Sequence, residues 1–347
     1  MGFVVKNKLN TDEYNNVVNF LDALDYYCIE QHPGWNAKID KYTQTFFLST
    51  DQKGVINCFG NIILSKGPFN TANIHFGPAF SDYAVLTKAI EFLHAYFSKQ
   101  KFIFLSIQLG IYTNNQTELL EYNINKDFKV KYFFNHENSK TSICVDLKRP
   151  ENEILRSFSK GHKSTIKSAY SKNSLRVSIE NNPENLKSFI DIYIKMMTVR
   201  KLAFEKKSTV QLFSSLNDFI YENNRGFIAY VFEENTLVGG VIIIYQGDSA
   251  RYYKGAGDPE RRDIPVLHFG LFEAMKFCKA NGHTALDLWG YNHFADKTDQ
   301  LYYINQFKKG FGGDFTFFPK RMNFILKPNY FILYRLLKFC KKAIKGR

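Results

Sequence analysis

The turn GAGDPERRDIPV, from Gly255 to Val266, carries two glycines and two arginines just ahead of a helix start. That composition can seat a phosphate through backbone N–H groups and paired positive charge. Twenty residues on, Asp287 is the single acid in the apolar run Ala285–Trp289, which ends at Gly290. A carboxylate inside such a run needs a partner, whether its role is structural or catalytic. The eight histidines lie apart, without HxxxH or HExxH spacing, so no metal site is expected, and His283 and His293 read as turn residues. There is no GxSxG elbow, catalytic-cysteine signature, Walker loop or GxGxxG.

These residues need a scaffold. An aromatic strand, Arg251–Lys254, runs into the glycine turn. Val266, Phe269, Leu271, Phe272, Met275 and Phe277 then recur at helical spacing, and the Asp287 strand follows. Strand, turn, helix and strand make a unit of the size a parallel crossover requires. The first half has a similar unit, IHFGPAFSDYAVLTKAIEFLHAYFSKQKFIFLSIQL, which reads as an internal duplication. The expected architecture is α/β with mixed sheets, in two domains: residues 1–149 with 322–347, the C-terminal helix packing back, and residues 150–321. Thr11 reads as the cap of a helix ending near Gln31, and Pro33-Gly34 as a break exposing Trp35.

At 347 residues there is length for two cores. The 46 Lys and Arg exceed the 33 Asp and Glu, for a net charge of +13, which favours anionic partners: nucleic acid, phosphate-bearing substrates or an acidic membrane face. Five dispersed cysteines without a CxxC pair fit buried thiols in a reducing compartment. No signal-peptide core and no spanning apolar run is visible, so a cytoplasmic location is expected. The last helix, NYFILYRLLKFCKKAIKGR, has two readings. Tyr330, Leu333, Leu336, Leu337 and Ile344 pack on the first domain, or the helix touches the inner membrane face through its lysines.

The meander, turn and helix of the second half resemble the acyltransferase fold of the GNAT superfamily. With QHPGWNAK, TVRKLAF, YYKGAG, LDLWG and INQFKKGFGG in this order, the whole chain resembles the Fem family of peptidoglycan-bridge aminoacyltransferases. The resemblance implies two tandem GNAT-like domains. The form is compact, because Glu184–Tyr221 is too short for an inserted helical hairpin. It implies an enzyme of cell-wall biogenesis that moves an amino acid from aminoacyl-tRNA to an amine of a nucleotide- or lipid-linked precursor. On matching positions, Trp35 and Lys38 would contact the precursor, and Thr198, Arg200 and Phe204, on one helix, would grip its diphosphate. Tyr252 or Tyr253 would contact substrate, and Phe307-Lys308 would serve the transfer. A fixed Lys308 ammonium suits an oxyanion or a leaving ribose oxygen, and Asp287 could orient or deprotonate the amine. No cofactor is expected. A coenzyme A or carrier-protein donor acting on an amino sugar is the alternative, although the signature Arg/Gln-x-x-G-x-G is absent from the turn. A third reading is a non-catalytic RNA- or membrane-surface binder. No stable DNA binding is expected.

Overall fold

The computed structural model describes residues 2–35, 43–111, 133–135, 141–171, 174–292, 294–299 and 301–345. The chain divides into two units, Met1–Lys140 with Phe317–Arg347, and Thr141–Thr316.

In the first unit, strands β1 (Gly2–Lys6), β2 (Thr43–Thr50), β3 (Ile56–Ser65) and β4 (Asn70–Ile74) form an antiparallel meander. A short strand, β5 (Ala79–Phe80), pairs with β3. Helix α1 (Thr11–Asp22) precedes β2, and α2 (Tyr83–Ser98) carries the chain from β4 across to β6 (Phe102–Ile107), which pairs parallel with β4. Strands β15 (Arg321–Ile325) and β7 (Phe133–Asn135) complete the sheet, in the order β1-β2-β3-β4-β6-β15-β7.

The second unit repeats this plan. Its meander is β9 (Leu175–Ser178), β10 (Gly226–Glu233), β11 (Thr236–Gln246) and β12 (Ser249–Gly257). Helix α7 (Val266–Ala280) is the crossover to β13 (Ala285–Asp287), which pairs parallel with β12. Strands β8 (Thr141–Asp146) and β14 (Asp314–Phe317) finish the order β9-β10-β11-β12-β13-β8-β14. The remaining helices here are α3 (Glu151–Ser157), α4 (Lys160–Ser171), α5 (Pro183–Val199), α6 (Lys206–Glu222) and α8 (Leu301–Gly310). The expected duplication is therefore a shared sheet order with the crossover helix at the same place in both. The strand at Thr141, which the sequence pattern assigns to the first half, belongs to the second sheet, where it pairs with β13.

Each unit has its own core. Phe47, Ile90, Leu93 and Leu105 are among the fully buried residues of the first, and Ile243, Leu271, Leu286 and Phe311 among those of the second. Burying each such side chain is worth about 1.5–3 kcal/mol. Close approach of α7 to its sheet depends on Gly257, where an added Cβ would lie 3.2 Å from Val266 Cβ. Gly239, at φ +148°, would meet the same side chain at 2.8 Å.

Three local expectations change. Helix α1 is capped by Asn10, not Thr11: the Asn10 side chain accepts from Glu13 N at 2.8 Å and the Glu13 carboxylate accepts from Asn10 N at 3.1 Å. That helix stops at Asp22, and only a short 3₁₀ turn, Ile29–Gln31, follows. Trp35 is 6% exposed, because the Trp35 N–H bonds to His32 O at 2.9 Å and folds the turn inward.

The C-terminal helix α9 (Pro328–Lys345) does return to the first unit. Among its contacts are Phe331, stacked on Phe104 with centroids 5.2 Å apart, and Tyr334 against Phe69. Tyr330, Leu333, Leu336 and Leu337, expected to pack, are exposed instead, and the Ile344 side chain lies outside the described residues. Of the cysteines, Cys28, Cys58 and Cys278 are buried, Cys144 is half-buried, and Cys340 on α9 is exposed.

Candidate active site

A cavity of about 1510 Å³ opens within the second unit. Its walls come from α4, the end of α5, β12, the Asp258–Pro265 turn, the start of α7 and α8. Arg200, Tyr252, Tyr253, Phe307 and Lys308 all line it, although they lie up to 108 residues apart in sequence.

Helix α8 presents Lys308 at 8% exposure. The ammonium donates to Trp289 O and, at 3.1 Å, to Gly290 O. Two of its three N–H bonds are thereby directed, and one remains for the cavity it borders. Burial pushes Lys308 down to about 8, opposed by the Asp287 charge.

The two carbonyls sit at an unusual bend. Trp289 has φ +47° and Gly290 φ +62°, left-handed values that a tryptophan adopts only when its surroundings hold it there. Asp287 Oδ1 accepts from Trp289 N at 2.8 Å, and the Ser142 hydroxyl donates to the same oxygen. Asp287 Oδ2 lies 3.5 Å from Arg251 Nε, and the wholly buried Arg251 guanidinium lies 3.4 Å from the Trp289 ring centroid. Strand register explains the pairing: Arg251 stands opposite Asp287 across β12 and β13. The Asp287 carboxylate is thus buried behind the cavity wall and is not part of its lining.

The other expected residues divide. The helix carrying Thr198 ends before Phe204. Lys201 takes φ +53°, Lys201 N bonds to Thr198 O and Leu202 N to Met197 O, both at 3.0 Å, closing α5 with a Schellman motif. Arg200 is the exposed C-cap on the cavity rim. Thr198 is exposed and donates to Ile194 O at 2.9 Å, while Phe204 lies beyond the helix; neither lines the cavity. Trp35 lies in the first unit, and Lys38 lies outside the described residues.

The charges of the glycine turn are largely paired, mostly with neighbouring elements. Arg261 bonds to Glu233 and lies 3.7 Å from Asp263, while Asp258 and Glu260 hold Lys195 at 3.0 and 2.7 Å. Arg262 donates to Pro259 O at 3.1 Å and, with Lys254, Lys297 and Arg200, leaves the cavity net cationic. Burial also lowers the Lys254 pKa, and Lys254 sits 5.9 Å from the Tyr193 ring centroid and 5.4 Å from that of Tyr253.

A histidine pair was not legible from spacing. His162 on α4 and His268 on α7 stack edge to face, centroids 4.4 Å apart, and enclose Phe307 and Phe311. His162 Nε2 reaches Phe307 O at 2.9 Å, tying α4 to α8. His268 lines the cavity, and burial, helped by His162, pushes its pKa down to about 4, so its ring is neutral near pH 7. Gly310 makes room for this arrangement: a Cβ there would overlap the His162 ring.

Residues 156–303 match the acetyltransferase (GNAT) domain family. No curated protein matches the chain. Among solved structures, FemX superposes with a TM-score of 0.80 at 14% identity, over 96% of this chain and 99% of that one. A tandem GNAT protein from the clavulanic acid biosynthesis pathway gives 0.56 at 7%, covering 94% and 99%. L-PGS from Bacillus licheniformis gives 0.55 at 14%, covering 93% and 95%. The chain has a FemX-like tandem GNAT fold, and its second unit is an acyltransferase domain.

Proposed function

We propose that this protein transfers an aminoacyl group from aminoacyl-tRNA to an amine of a peptidoglycan precursor, with the chemistry in the second-unit cavity. The observation that carries the reading is Lys308: a nearly buried ammonium, fixed by two carbonyls, on the wall of a cationic cavity. The FemX-like fold and the net charge of +13, suited to RNA, support it.

In this reaction the amine nitrogen attacks the ester carbonyl carbon, and charge builds on the carbonyl oxygen. The third N–H of Lys308 meets that charge at the cavity wall. When the C–O bond to the ribose breaks, Lys308 can protonate the departing oxygen and recover the proton the amine loses. A pKa near 8 makes it a better acid than an ordinary lysine while leaving it charged at neutral pH. Phe307, packed between His268 and Phe311, gives the cavity an apolar wall on the same helix as Lys308. Asp287 acts from behind: it fixes the Trp289 bend whose carbonyl aims Lys308. Tyr252, Tyr253 and Arg200 lie where substrate would pass.

The deciding measurement pairs turnover with binding. With charged tRNA and a muropeptide acceptor, Lys308→Met is expected to lose about 10²–10³ in transfer rate while acceptor affinity changes by less than threefold. Equal loss of both would move Lys308 from chemistry to binding. Coenzyme A bound at micromolar affinity and competed by an amino sugar would favour the alternative acyl donor.

A further inference from the structure

Helix α9 exposes Tyr330, Ile332, Leu333, Leu336 and Leu337 at 46–60% of their surfaces. No other eight-residue stretch of the described chain exposes as many large apolar side chains. At 100° per residue they form one stripe, opposite Phe331 and Tyr334, which hold the helix to the first unit. The exposed Cys340 falls on the same stripe.

The charge of the segment narrows the partner. From Lys327 to Arg347 the chain has seven basic residues and no acid. RNA would be drawn by that charge but gains nothing from four exposed aliphatic side chains. A second copy would cover the stripe but bring two like-charged helices together. An anionic bilayer surface satisfies both features: apolar side chains enter the headgroup boundary, and basic residues meet lipid phosphate. Among the described residues no helix is long and apolar enough to cross a membrane, so the helix would lie in the plane of the surface.

We propose that α9 is an interfacial helix that docks this protein on an anionic lipid leaflet. The proposal stands whatever the acyl acceptor is. The test uses the full chain and flotation with vesicles of equimolar phosphatidylglycerol and phosphatidylcholine, against phosphatidylcholine alone. Binding to the anionic vesicles is expected to be at least about tenfold stronger. Leu333→Glu with Leu337→Glu, both already solvent-exposed, should weaken it by more than about tenfold while circular dichroism and turnover of a soluble acceptor stay unchanged. An environment-sensitive dye on Cys340 should shift to shorter wavelength on anionic vesicles only. The proposal is overturned by absence of flotation, or by equal flotation of wild type and double variant, which would mean charge alone. A lipid-free dimer that the double variant dissociates would assign the stripe to a second copy instead, and loss of tRNA binding in that variant would assign it to RNA.

Discussion

Lys308 is the side chain on which proton inventory and chemistry meet. Its pKa is lowered from 10.5 to about 8, so between those values the folded chain carries fewer protons than the unfolded one. Stability contributed by this group is therefore flat below about pH 8 and rises toward pH 10.5. Transfer should move in the opposite sense: single-turnover rates at saturating donor and acceptor fall as pH passes about 8 and the ammonium is lost. Lys308→Arg should remove that basic limb even if the rate is low, which a pH series of single turnovers would show. A limb unchanged in the arginine variant would belong to another group.

At the scale of elements, adjacent strands β8, β13 and β12 bring Ser142, Asp287 and Arg251 into one buried array. Asp287→Asn would remove the Asp287 charge from beside a fully buried guanidinium, and is expected to cost about 3–5 kcal/mol in chemical denaturation. A loss under 1 kcal/mol would mean the pair is not sealed from water. The α4–α8 junction gives a second check. Gly310→Ala drives a methyl into the His162 ring and should destabilise by about 1–3 kcal/mol. Gly161→Ala, on α4 next to His162, meets nothing within 4 Å and should stabilise by about 0.5–1 kcal/mol. Opposite signs from the two glycine-to-alanine changes would separate packing from helix propensity.

For the molecule as a whole, the path of the chain matters more than its length. Every cavity residue, from Ser164 to Lys308, falls inside the unit Thr141–Thr316, which has its own core. A fragment of residues 141–316 is expected to unfold cooperatively and keep the lowered Lys308 pKa, measurable by NMR titration. The first unit depends on the far end of the sequence, since β15 lies between β6 and β7. A chain ending at Lys320 should lose that unit's thermal transition and aggregate through the bared β6 edge, while the second unit's transition survives in calorimetry.

Periodicity and turn chemistry act locally, and what they govern could be read directly. The crossover helix from Val266, its parallel strands and the repeat of that unit follow from 3.6- and 2-residue patterns in the chain. Phe307-Lys308 and the tyrosines at 252 and 253 were visible as motifs, and they do share a cavity. The rest required contacts between distant residues. His162 and His268 are 106 positions apart, and nothing in either neighbourhood marks the other. Whether Asp287 faces the cavity or the sheet interior depends on which strand sets Arg251 opposite it. Which side of the last helix meets protein was decided by Phe104 and Phe69, because an amphipathic pattern shows that a helix has an apolar face but not what will cover it.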